Sequence, residues 1–147
     1  MTEPRWMAEA RKSLGVGEVP GEGTNPVISN WLQKLKAWWK DDETPWCGLF
    51  VAQSLKMTGY PVPHYWMRAR SWLAWGTPLA APSLGCIVIF PRKGGGHVGF
   101  VAGRAEDGKL LVLGGNQGNK VSILPFEASQ VLGYRWPSNE RAPLDIL

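Results

Sequence analysis

Apolar positions recur with two different periods along this chain, and the change of period falls near Pro82. Before it, spacings of three and four residues predict helices. Trp6, Met7, Ala10 and Leu14 share one helical face that Gly15 ends, and a glycine-rich connection occupies residues 15–23. Asn25-Pro26 is a cap residue followed by a proline at the first helical position, where the missing N–H costs nothing. It opens a helix with Val27, Ile28, Trp31, Leu32, Leu35 and Trp38 on one broad face. Thr44-Pro45 repeats the signal for a third helix, which carries Leu49, Phe50 and Leu55 and stops at Gly59. A fourth helix is expected over residues 64–75, closed by Gly76 and bringing Trp72 and Trp75 near Ala69.

After Pro82 the apolar runs are short and separated by Gly, Pro, Asn and Asp, as in strands. They cover residues 86–90, 98–101, 109–113 and 121–124, with a last strand over residues 131–136. Asp107-Gly108 has the composition of a tight hairpin turn. Helices followed by a strand meander predict an α+β fold: N-terminal helices packed on a C-terminal antiparallel sheet of about five strands. The whole of residues 1–147 is expected to be a single catalytic domain, with residues 138–147 a loose tail.

Composition narrows the function. A net charge of +4 and a sequence pI near 9.3 suit an anionic partner such as a bacterial wall. The basic residues are spread from Arg5 to Arg141 without a run, which argues against a nucleic-acid stripe. No stretch has the apolar length to span a bilayer, and the first residues lack the apolar core of a secretory signal. Synthesis in the cytoplasm without a signal peptide is therefore expected. Nine tryptophans exceed what one small core uses, so Trp39, Trp66 and Trp75 are candidates for a groove wall that stacks on sugar rings.

The candidate chemistry centres on Cys47, in the first turn of the third helix. There the unpaired backbone N–H groups and the helix dipole favour thiolate over thiol. A cysteine hydrolase needs an imidazole to carry the proton and a group to orient it. His97 stands at the start of an apolar strand, after Gly94-Gly95-Gly96; strand alternation puts it on one face with Gly99 and Val101. Gly99 would leave room for the Cys47 helix. Asn116, at the end of the next strand, is the expected orienting group, with the choice between it and the adjacent Gln117 left open; a loop-forming role for Asn-Gln and a substrate contact for Gln117 are the other readings. The backbone N–H of Cys47 supplies one oxyanion donor. Cys86 reads as an inert core thiol, although a disulfide with Cys47 stays open, and His64 as a surface residue. Two cysteines and two histidines without metal-type spacing argue against zinc. Asp41, Asp42 and Glu43 lack the spaced oxygens of a calcium loop, so no cofactor or metal is expected and calcium is not supported by spacing.

Several of these segments, in this order, resemble the papain-like wall hydrolases of the CHAP (cysteine, histidine-dependent amidohydrolase/peptidase) and NlpC-type group. They are Thr44-Pro45-Trp46-Cys47, Ala69-Arg70-Ser71-Trp72, the Ile87-Val88 strand with Phe90, Gly96-His97-Val98-Gly99-Phe100-Val101 and Gly114-Gly115-Asn116-Gln117. Within that group the pattern is most similar to small single-domain phage endolysins. The resemblance implies a papain-like fold, with Cys47 as nucleophile, His97 as general base and acid, and Asn116 as orienting residue. Two positions depart from the group: Cys86 stands where an acidic residue is common, and no glutamine precedes Cys47 closer than Gln33.

The resemblance thus implies a peptidoglycan hydrolase, acting as N-acetylmuramoyl-L-alanine amidase or peptide endopeptidase. Such an enzyme would be a monomer made in the host cytoplasm that reaches the wall after release, binding peptidoglycan but neither nucleic acid nor membrane. Trp46, Trp66, Trp75, Arg70 and Gln117 are the substrate-binding candidates, and Arg68, Arg92 and Lys93 are further cations for peptide carboxylates. The alternatives are a non-catalytic wall-binding or virion structural module, in which Cys47 merely packs, and a secreted antibacterial effector with the same chemistry.

Overall fold

Three helices precede a six-stranded antiparallel sheet in the computed structural model, which describes residues 3–18, 25–37, 46–143 and 145–147. The helices are α1 (Arg5–Arg11), α2 (Pro26–Lys34) and α3 (Cys47–Lys56). The strands are β1 (Thr77–Leu79), β2 (Ile87–Arg92), β3 (Gly95–Arg104), β4 (Leu110–Gly114), β5 (Ser122–Phe126) and β6 (Gly133–Trp136), in the sheet order β1-β6-β2-β3-β4-β5. This is the expected α+β class, compatible with a papain-like fold.

Asn25 caps α2 as its sequence predicts, its side chain accepting from the Val27 N–H at 2.8 Å, a contact worth about 1 kcal/mol. Ile28, Trp31 and Leu32 face the core, whereas Val27 and Leu14 lie 41% and 44% exposed and drop out of the expected faces. Trp38 lies outside the described residues. Buried α3 is the central helix, packed on β3 and β4 on one side and on α1 and α2 on the other.

Residues 64–75 do not form the expected α-helix. They make turns and then a 3-10 helix, Ala69–Ala74. The local bonds explain this: the Ser71 hydroxyl donates to the carbonyls of Tyr65 and Arg68, and the Trp72 and Trp75 indoles donate to Trp66 O and Pro61 O. Backbone carbonyls pinned by side chains are unavailable to a regular helix.

The sheet has a strand more than expected. β1 was hidden by its length and by Pro78, which an edge position tolerates; it pairs with β6, Pro78 opposite Arg135. The opposite edge, β5, carries Pro125. The described residues of the tail lack regular structure and make bonds to the rest of the chain: Trp136 Nε1 donates to Arg141 O at 2.8 Å, the Ser83 hydroxyl to Asp145 O at 2.5 Å and Leu147 N–H to Pro82 O at 2.9 Å.

Candidate active site

Helix α3 starts later than its sequence signals, at Cys47 itself, with Trp46 as the cap residue. Thr44 and Pro45, like Trp39 and the acidic run Asp41, Asp42 and Glu43, lie outside the described residues. Cys47 thus occupies the first helical position, where its own N–H has no partner within the helix. Gly48 lets the chain close over this helix mouth: a Cβ there would collide with the Trp66 carbonyl oxygen and lie 3.3 Å from that of Met67. The Cys47 side chain is buried, and the backbone N–H of Val98, the residue after His97, favours its thiolate. Helix α3 packs on β3, the strand that carries His97.

His97 is 1% exposed. Its ring stacks parallel to Phe126 at 5.4 Å between centroids, and Phe126 stacks in turn on Phe90. One ring nitrogen, Nε2, lies 2.8 Å from Gln117 Oε1. The Gln117 amide nitrogen donates to Val112 O at 3.1 Å and to Ser122 O at 2.9 Å. Those two carbonyls fix which end of the amide is oxygen, and an oxygen only accepts. His97 consequently carries its hydrogen on Nε2, and Nδ1 keeps a lone pair. Nδ1 is buried and without a hydrogen-bond partner.

The orienting contact is therefore made by Gln117 and not by the expected Asn116. Asn116 sits in the left-handed region at φ 58°, as does Asn119 at φ 63°, so it forms the turn, a role suited to Asn. That turn sends the next side chain inward, where Gln117 is 3% exposed. Gly114 makes the space, since a Cβ on it would strike Gln117 Oε1 and come within 3.3 Å of His97 Nε2. Gly99, expected to make room for α3, makes it for Val112 and the Leu113 carbonyl of β4.

The electrostatics also depart from expectation. Burial pushes the Cys47 thiol pKa up, against the smaller opposing effects of the Val98 N–H, the positive charge of Arg92, and the N–H groups of Gly48 and Cys47. Burial pushes the imidazole down to about 4; the Gln117 bond opposes this and Arg92 adds to it. Both directions favour a neutral Cys47 thiol and a neutral His97 imidazole at neutral pH over the ionised pair that the helix mouth alone suggests. Cys86 is fully buried and pushed up to about 12 by desolvation. Both cysteines are free, so no disulfide joins them.

A cleft of about 410 Å³ opens beside the sulfur, lined by Cys47, residues 67–70 and residues 92–96. Arg70, Arg68, Arg92 and Lys93 are on it. The tryptophans are not: Trp46, Trp66 and Trp75 are 0%, 6% and 9% exposed. All three indoles go into the core, and two of them show polar partners: Trp46 Nε1 donates to Glu18 Oε1 at 3.1 Å and Trp75 Nε1 to Pro61 O at 3.2 Å. His64 is exposed, as expected. Among the described residues no cluster of His, Cys, Asp and Glu is arranged to hold a metal.

One family, described as the CHAP domain, matches residues 39–116, just over half of the chain. The matched segment contains Cys47 and His97 and ends at Asn116, one residue short of Gln117. No curated protein matches the chain.

Proposed function

This chain belongs to the CHAP family of cysteine- and histidine-dependent amidohydrolases and peptidases, and from that premise we propose that it cuts an amide bond of bacterial peptidoglycan using Cys47, His97 and Gln117. The observation that carries this reading is the buried, unpartnered Nδ1 of His97, whose ring Gln117 holds through Nε2 on the strand against which the Cys47 helix packs.

In this mechanism Sγ attacks the scissile carbonyl carbon while its proton passes to Nδ1. The oxyanion forms against the Cys47 N–H and the positive end of α3. Collapse of the tetrahedral adduct breaks the C–N bond, and the proton on Nδ1 goes to the leaving amine. A water molecule then gives its proton to Nδ1 as it attacks the thioester. Collapse of the second adduct frees the acid and returns that proton to sulfur. Gln117 moves no proton; it keeps the ring in one tautomer and orientation. No cofactor takes part.

The finer role is that of a phage lysis enzyme, which the likeness of the motif string to small endolysins supports. In that role the chain acts as a monomer, made in the host cytoplasm and released to the wall. The bond is the muramoyl-L-alanine amide or one within the stem peptide. Digestion of purified sacculi, followed by mass spectrometry of the soluble products, tests the reading. The native chain should release fragments with one new amine end and one new carboxyl end per bond cut, and Cys47→Ala should release none. Equal release by both proteins would refute it.

A further inference from the structure

The cleft beside Cys47 has a cationic wall that hydrolysis of an amide does not require. Arg70 and Arg92 converge on one residue of the β2–β3 hairpin. Arg92 is the cross-strand partner of Gly95, and Arg70 Nε donates to Gly95 O at 2.9 Å. That bond, with Gly96 pressed against the Arg70 stem (a Cβ there would lie 3.1 Å from Arg70 Cγ), holds the guanidinium by Nε and leaves its two terminal nitrogens without a partner among the described residues. The hairpin tip offers no cover, since a Cβ on Gly94 or Gly95 would meet nothing within 4 Å. Arg68, held over the Tyr65 ring at 5.3 Å, and Lys93 complete the wall. No carboxylate lines this cleft among the described residues, and none of their ion pairs involves these four cations.

We propose that Arg70 and Arg92 form a clamp for a free carboxylate adjoining the scissile amide, so that the substrate is an acidic, unamidated stem peptide. The inference rests on the hydrolase reading and adds the feature by which that site chooses its substrate. A planar guanidinium anchored through Nε presents the paired donors that fit a carboxylate. A carboxamide offers a single oxygen and adds N–H groups that face the cations, so amidation removes both the charge and the bidentate fit. Arg92 is close enough to the sulfur to act on its ionisation, which puts the bound carboxylate near the bond being cut.

Three carboxylates of a stem peptide have this chemistry: that of the isoglutamyl residue, that of a diaminopimelyl residue and the terminal one. Muropeptides with each amidated singly distinguish them. Binding is measured by calorimetry on Cys47→Ala, which reads the clamp without turnover, and kcat/KM is measured on the native chain. Amidation at one of the three positions should weaken binding and lower kcat/KM roughly tenfold or more. In Arg70→Gln and Arg92→Gln the same amidation should make little difference. Equal binding of all the peptides, a loss that salt removes equally from amidated and free forms, or unchanged discrimination in the arginine variants overturns the clamp. Turnover without carboxylate selectivity sinks the clamp alone; selective binding without any turnover sinks the hydrolase reading and leaves the clamp as a binding site.

Discussion

The two cysteines of this chain share a side chain and near-complete burial, yet their surroundings differ in kind. Cys86 precedes β2 in the core, where desolvation meets little opposition and takes the thiol to about 12. Cys47 is desolvated too, but it faces the Val98 N–H, the start of α3 and the charge of Arg92. Burial alone makes a thiol inert. What separates the two sites is the set of donors that favour a thiolate at Cys47, and the packing of its helix on the strand that carries an imidazole with a free lone pair.

Exchanging the cysteines one at a time tests this contrast at its strongest. Cys47→Ala should lower wall hydrolysis by about 10⁴-fold or more, measured as loss of turbidity of a sacculus suspension, with its melting temperature nearly kept. Cys86→Ala should keep the rate and lose about 1–2 kcal/mol of stability to the small cavity. A reversed pattern breaks the comparison.

The next largest effect separates Gln117 from Asn116. Gln117→Ala frees the ring and strands the Val112 and Ser122 carbonyls, so hydrolysis should fall about 10²-fold and stability by about 1–3 kcal/mol in a denaturant melt. Asn116→Gly supplies the same left-handed turn and should change the rate less than about threefold. A larger rate loss in Asn116→Gly than in Gln117→Ala would return the orienting role to Asn116.

Acid should act through His97. Its folded pKa of about 4 lies below the ordinary value of 6.5, so below pH 6.5 the unfolded chain takes up a proton that the folded chain refuses. The stability at stake, about 3 kcal/mol, is present above pH 6.5 and is lost as pH falls through about 4. Denaturant melts at pH 7 and pH 4 should show this loss, and His97→Gln should show less of it. A smaller effect is chemical: at neutral pH iodoacetamide should label Cys47 about tenfold faster than Cys86, yet more slowly than a free thiol. Equal rates, or labelling of Cys47 faster than the free thiol, would contradict the neutral pair.

Much of this organisation was legible in the chain. Short apolar runs between turn residues gave away β2 to β6, because the side chains of a sheet core cannot hide their pattern. The Asn25-Pro26 cap marked α2 to the residue. The segment over residues 64–75 misled because its tryptophans follow a helical spacing while their indoles bond to backbone carbonyls of the same loop. Trp46 and Trp75 misled for a related reason: a tryptophan whose N–H finds a polar partner belongs to the core as well as any aliphatic residue does, and Trp66 is buried with them. Cys47 stood out through its place at a helix start, and His97 through its place at the opening of an apolar strand. The chain alone did not separate Asn116 from Gln117 as the orienting amide, because the two are adjacent. The signal was present in Gly114-Gly115-Asn116-Gln117-Gly118-Asn119, where Asn116 is the residue suited to the left-handed turn and Gln117 the one with reach.

The account depends most on a single proton position: hydrogen on His97 Nε2, with Nδ1 left open to the Cys47 thiol. Nitrogen-15 chemical shifts of the His97 ring, followed from pH 8 to pH 3, report it directly. The account predicts a protonated Nε2 and an unprotonated Nδ1 across neutral pH, with the second proton arriving near pH 4. A hydrogen on Nδ1, or titration at the ordinary value of 6.5, would contradict it.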